Sequence, residues 1–261
     1  MRKSFRIVFM ALVLIFLYLP IFVVVLYSFN PSKYSGMMTG LTLDWYRKLF
    51  QNTEIAKTLG NSLKLAAMSV PAAAVIGTLG AMALARRQMK LQGFMEGLAT
   101  LPILIPEIVL GIALLVAFTF VGRLPFINLQ PGMATMALAH TTFCVPYIFI
   151  IVKGRIAGID PALEEAARDL GASPRRVFID IVFPLIFPAV LAGMLLAFAM
   201  SLDDVVISFF VTGPGAQTLP LMIFSSLKVG VTPEINALST VMLGVVFLFV
   251  AVSQRIRAKK T

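Results

Sequence analysis

Six long apolar runs dominate the chain, at residues 7–29, 65–85, 97–121, 132–152, 185–211 and 235–252. Each is close to or above the roughly 20 mostly apolar residues that a helix needs to cross a hydrocarbon core about 30 Å thick. None alternates apolar and polar positions with period two, which excludes the strands of a membrane barrel. The pattern predicts an all-α polytopic membrane protein of six transmembrane helices, organised as one domain over 1–261. The first run follows Met1-Arg2-Lys3-Ser4-Phe5-Arg6. It is far longer than the 7–15 residues of a secretory h-region, and no small-residue cleavage site follows it, so it reads as a retained span.

Composition agrees with this class. Of 261 residues, 59% are hydrophobic and 13% charged, against about half and about a quarter in soluble domains. The formal charge of +10 would suggest nucleic acid in a soluble protein. Here its distribution suggests topology instead. With the N-terminus inside, segments 1–6, 86–96, 153–184 and 253–261 are cytoplasmic and hold 15 of the 22 Lys and Arg residues. The outer segments hold six, and Lys64 sits at the outer edge of the second span, where its stem can snorkel. That bias predicts cytoplasmic termini and no nucleic-acid surface. One Cys and one His exclude an intrachain disulfide framework and make a zinc centre untenable. His140 and Cys144 share a helix face at i, i+4, which reads as a polar interhelix contact rather than a metal pair. Gly213-Pro214-Gly215 reads as a turn.

Two polar segments are patterned. The outer loop 30–61 carries Trp45-Tyr46 and Leu49-Phe50 among charges, which suits a short amphipathic helix at the interface. The cytoplasmic loop 153–184 contains two helix signals. Asp160-Pro161 opens the first, Glu164 and Glu165 lie near its positive end, and Gly171 suits a left-handed C-terminal cap. Ser173-Pro174 opens the second, and Pro184 is expected to end it. In the first helix Leu163, Ala166, Ala167 and Leu170 fall on one stripe, opposite Glu164, Glu165, Arg168 and Asp169. Such a helix is either a connector packed on the bundle or a docking element for another protein.

Three acids interrupt the spans. Glu107 lies ten residues into the third run, about 15 Å deep if that run is one straight helix. Asp203 and Asp204 lie about 27–29 Å along the fifth by the same arithmetic. A charge at the bilayer centre costs about 2.5–3.5 kcal/mol even on a lenient scale, so each is a candidate for the solute's route. Adjacent helical residues point about 100° apart, so one of Asp203 and Asp204 caps or pairs while the other faces the cavity. An extended, strongly cationic solute accounts for all three acids. A secondary carrier with Glu107 as proton relay is the competing class. A membrane enzyme lacks any recognisable nucleophile, base and orienter.

The loop run Glu165-Ala166-Ala167, three residues, Gly171, nine residues, Ile181, two residues and Pro184 resembles the EAA signature of membrane subunits of ABC importers, with Phe183 where Leu is usual. The resemblance implies a type I importer permease fold and a loop that docks on a separate ATP-hydrolysing subunit, through Glu165, Ala166, Ala167, Gly171, Ile181 and Pro184. The chain carries no G-x-x-x-x-G-K-[ST] phosphate loop, so ATP and Mg would be bound by that partner and this chain would hold no cofactor. The stretches Ser201-Leu202-Asp203-Asp204-Val205-Val206-Ile207-Ser208 and Ala139-His140-Thr141-Thr142-Phe143-Cys144 are similar to the corresponding regions of spermidine/putrescine permease subunits. This implies a polyamine substrate, two copies of the ATPase subunit, a second homologous permease subunit, an extracytoplasmic solute-binding protein, and a bacterial inner membrane location.

Overall fold

The computed structural model describes residues 3–32, 37–86, 91–126, 129–228, 230 and 232–258, and no strand occurs among them. Of the basic residues used to orient the chain, Arg2, Lys33, Arg87, Lys90, Lys259 and Lys260 lie outside the described residues. The chain divides into two compact units, one of residues 1–57 with 223–261 and one of residues 58–222.

The first unit holds α1 (Lys3–Tyr27), α2 (Asp44–Gln51) and α12 (Pro233–Ala258). α1 is apolar after Arg6, and no residue of its most hydropathic stretch is buried in the isolated chain, as a lipid-facing or subunit-facing helix would show. α2 is amphipathic as expected: Trp45 and Leu49, at i and i+4, are buried, whereas Arg47, Lys48 and Phe50 are exposed. The Trp45 indole N–H donates to the Asn30 carbonyl at 2.8 Å, and the Asn52 amide donates to Glu234 Oε1 at 2.8 Å, joining the end of α2 to the start of α12.

The second unit carries the candidate residues singled out above. α3 (Thr53–Arg86) starts twelve positions before the apolar run 65–85, because the Asn52 side chain accepts from the N–H groups of Glu54 and Ile55 and caps the helix there. α6 (Met133–Ala157) is the central element, with Met136, Cys144, Ile148, Phe149 and Val152 all buried. Small residues let its neighbours approach closely. A Cβ on Gly77 of α3 would lie 3.2 Å from the Ile148 Cβ, and one on Gly193 of α9 (Phe183–Asp203) would lie 3.2 Å from the Ile148 Cα. Ile148 is thus clasped between two glycines on different helices.

Three expectations about continuity are corrected. The run 97–121 is not one straight helix. It forms α4 (Gln92–Leu104) and α5 (Glu107–Gly122), bent by 107° at the break, so the depth arithmetic for Glu107 does not apply. Pro106 has no N–H to donate and biases Ile105 to extended backbone, which it adopts at φ −83°, ψ 131°. The run 185–211 is also broken, after Asp203, with α10 (Val206–Val211) following as a separate short helix. Pro184, by contrast, ends nothing. After α7 (Ala162–Asp169), a continuous helical stretch runs from α8 (Pro174–Arg176) through a π-helical turn (Val177–Val182) into α9. The wide turn shifts the pairing by one residue, so that Phe183 N–H donates to Phe178 O, and Pro184 falls in the opening turn of α9, where its missing N–H costs little.

Among the described residues, four helices are long and apolar enough to cross a bilayer, five if α4 and α5 count as one broken span. α11 (Leu219–Leu227) and the apolar part of α12, Pro233–Leu248, are shorter.

One close approach gives a stability prediction. A Cβ on Gly213, between α10 and α11, would lie 1.9 Å from the Pro131 carbonyl oxygen. Because the obstacle is backbone, Gly213→Ala is expected to destabilise by about 3 kcal/mol. Gly60→Ala, in open space on α3, is expected to stabilise by about 0.5–1 kcal/mol. Thermal unfolding of the purified protein in detergent reads both signs.

Candidate functional site

Both helix breaks face one pocket. Glu107 is the first residue of α5, just past Pro106, at the positive end of that helix. Asp203 is the last residue of α9, and Asp204 leaves the helix with extended backbone at φ −66°, ψ 129°. No proline makes this second break. The Asp204 carboxylate does, by accepting from the N–H groups of Ile207 at 3.1 Å and Ser208 at 2.8 Å and so starting α10.

The three acids, separated by nearly a hundred residues of sequence, line an open pocket of about 630 Å³ together with Phe143, Met200 and Val206. Their environments differ. Glu107 and Asp203 are exposed and form no ion pair among the described residues. The Asp204 side chain is 6% exposed and lies 3.4 Å from His140 Nε2. The expected split within the Asp pair is therefore resolved: Asp204 caps and pairs, and Asp203 faces the opening.

His140 is fully buried. Its ring nitrogens lie 2.9 Å from Ser201 Oγ and 3.0 Å from Ser208 Oγ, and Cys144 Sγ contacts the Ala197 carbonyl at 3.6 Å. Both residues make interhelix polar contacts, as their spacing suggested. Sequence alone assigns no role to Ser201, Ser208 or Ser69. The available signal was a pair of serines flanking two aspartates inside an apolar run.

The loop 153–184 forms the second candidate site. Asp160 Oδ1 accepts from the Ala162 N–H at 2.9 Å, so Asp160 and Pro161 open α7. At its other end Ala172 N–H donates to Ala167 O at 3.0 Å and Gly171 N–H to Arg168 O at 2.8 Å, with Gly171 at φ +83°. This is a Schellman cap, and it needs glycine at that position. Of the apolar stripe only Ala167 packs on the core. Ala166 is exposed, Leu163 is 48% exposed and Leu170 is 89% exposed. Glu165 is exposed at the rim of a pocket of about 350 Å³ shared with Ala85, Ile156 and Arg168. Ile181 is half-buried in the π-helical turn and Pro184 is exposed beyond it. Glu165, Ala166, Ala167 and Gly171 thus belong to one compact helix and cap, with Ile181 and Pro184 on the next helical stretch.

Lys153 of α6 and Glu96 of α4 form an ion pair at 2.6 Å. Their hydrogen bond, and that from Gln92, hold the Glu96 carboxyl below its ordinary range.

Comparison with known proteins places this geometry. Residues 73–258 match the model of a family described as the inner membrane component of binding-protein-dependent transport systems. The putrescine transport system permease protein PotI of Escherichia coli K12 is 42% identical, over 99% of this chain and 93% of its own length. The spermidine/putrescine transport system permease protein PotC of the same organism is 40% identical, over 97% and 94%. Among solved structures, a chain of a bacterial alginate ABC transporter in complex with alginate pentasaccharide-bound periplasmic protein matches with TM-score 0.74 at 18% identity, over 95% of this chain and 90% of that one. A chain of the MetNI methionine ABC transporter matches with TM-score 0.59 at 17% identity, over 85% and 100%. These solved structures share the fold.

Proposed function

From the premise that this chain belongs to the inner-membrane components of binding-protein-dependent transport systems, we propose that it forms half of the translocation pathway of an ATP-driven polyamine importer. It is a transport subunit of an ABC system, not an enzyme. The observation that carries the substrate class is the pocket in which Glu107 and Asp203 stand exposed without a counter-ion among the described residues. Two unpaired carboxylates at helix breaks suit a solute that brings ammonium groups, and they repel an anion. The names of the relatives, PotI and PotC, point to the same solutes.

In this reading the chain crosses the inner membrane six times with both termini in the cytoplasm. The broken α4–α5 pair serves as one crossing and the apolar part of α12 as the last. The exposed stripe of α7, with Glu165 beside it, docks on an ATPase subunit, which holds ATP and Mg. Two such subunits, a second permease chain and an extracytoplasmic binding protein complete the complex. Gly171 sets the turn after α7, and Ile181 and Pro184 carry its movement into α9 through the π-helical turn.

The test is uptake of labelled putrescine into proteoliposomes holding the complete complex. Uptake is expected to require ATP inside, to persist when the proton gradient is collapsed, and to be competed by spermidine but not by neutral or acidic solutes. Competition by an uncharged solute at equal concentration would overturn the substrate class, and dependence on the proton gradient would overturn the coupling.

A further inference from the structure

Asp204 differs from the other two acids in what holds it. The two oxygens of its almost wholly buried carboxylate accept from the N–H groups of Ile207 and Ser208. His140 of α6 reaches across the same break, with Nδ1 2.9 Å from Ser201 Oγ in the last turn of α9 and Nε2 3.0 Å from Ser208 Oγ in α10. Nε2 also lies 3.4 Å from Asp204 Oδ2. One buried ring therefore spans both sides of the break at which Asp203 is presented to the pocket.

Each ring nitrogen of His140 has a serine hydroxyl within hydrogen-bond distance, and a hydroxyl can donate or accept. Ser69 Oγ donates to the Leu65 carbonyl at 2.8 Å and lies 3.5 Å from Ser201 Oγ. With Ser201 Oγ–H donating to Nδ1, Nε2–H donates toward Ser208 Oγ and Asp204 Oδ2, a contact strengthened by the carboxylate charge. A buried carboxylate that loses such a donor is costly.

We propose that His140 is a positioning residue of the transport site. Paired with Asp204, it fixes the break between α9 and α10 and holds that carboxylate against the start of α10 in the pocket wall, leaving two exposed carboxylates, Glu107 and Asp203, to receive a pair of ammonium groups on one alkyl chain. This rests on the polyamine route proposed above. It names the recognised unit as a diammonium segment, which one putrescine supplies in full and a longer polyamine supplies piecewise.

The experiment compares His140→Gln, Asp204→Asn, their double variant, Asp203→Asn and Glu107→Gln in the reconstituted complex, at matched levels of inserted protein. Initial rates of labelled putrescine uptake are the readout. Asparagine caps a helix as well as aspartate does, so a purely capping Asp204 would leave Asp204→Asn near the wild-type rate, and that result overturns the pair. The expected result is that each single change at 140 or 204 lowers the rate at least about tenfold by leaving a buried polar group without its partner, while the double variant returns to within about threefold of wild type. His140→Gln added to Asp203→Asn gives no recovery. A double variant no faster than the slower single overturns the proposal. The two readings fail separately. Rescue at 140/204 with unimpaired uptake by Glu107→Gln and Asp203→Asn would sink the polyamine route and keep the pair. Slow uptake by those two variants without rescue at 140/204 would do the reverse.

Discussion

Replacing Glu107 by Gln and Asp203 by Asn together is expected to lower putrescine uptake about 100-fold, and each change alone about tenfold, with capture of the solute by the binding protein unchanged. A diammonium ion leaving water for a pocket of about 630 Å³ loses hydration that only opposite charge restores. At an effective dielectric near 20, one charge pair about 4 Å apart is worth about 4 kcal/mol before desolvation. Tenfold corresponds to about 1.4 kcal/mol, a third of that figure, which leaves room for the desolvation cost. Both side chains are exposed, and the amides keep their shape, so insertion and thermal stability should be unaltered. Initial rates at saturating liganded binding protein isolate the permease step. Wild-type rates in the double variant would remove these residues from the route.

Replacing Glu165 by Lys should leave the chain inserted and its unfolding temperature unchanged, yet reduce uptake about 30-fold or more while ATP hydrolysis persists. The side chain is exposed on α7, beside the open stripe of Leu163, Ala166 and Leu170, so the change costs the isolated subunit little. At a docking surface, reversing one central charge costs about 2 kcal/mol or more, which is the stated factor. Simultaneous measurement of phosphate release and uptake in one vesicle preparation gives the coupling ratio. A ratio equal to wild type would place the docking contact elsewhere. Gly171→Ala tests the same loop from its turn: the φ of +83° costs alanine about 1 kcal/mol, so a milder loss of coupling is expected.

Local chemistry made much of the loop legible before any coordinates. Asp160, Pro161 and Gly171 act on backbone groups within a few positions of themselves, so their effect depends little on what packs around them. The amphipathic α2 was readable for a similar reason, since the i, i+4 spacing of Trp45 and Leu49 assigns a buried face wherever the helix lies. Proline was a poorer guide. Pro20, Pro71, Pro102, Pro146 and Pro188 lie inside helices, Pro184 opens one, and Pro106 marks a bend of 107°. The same residue type has three outcomes because neighbouring helices, or a π-helical turn, can absorb the missing N–H. The break at Asp204 carries no proline at all.

Apolar run length, the sign of the flanking charges and the caps of α7 are properties of contiguous residues, and they were enough for the membrane class, the candidate acids and the shape of the loop 153–184. The gathering of Glu107 with Asp203 across two broken helices, and the engagement of the Asp204 carboxylate by His140 and the backbone N–H groups of Ile207 and Ser208, are properties of contact. They depend on which helices close around α6, and side chains far apart along the chain acquire those neighbours only when the bundle packs.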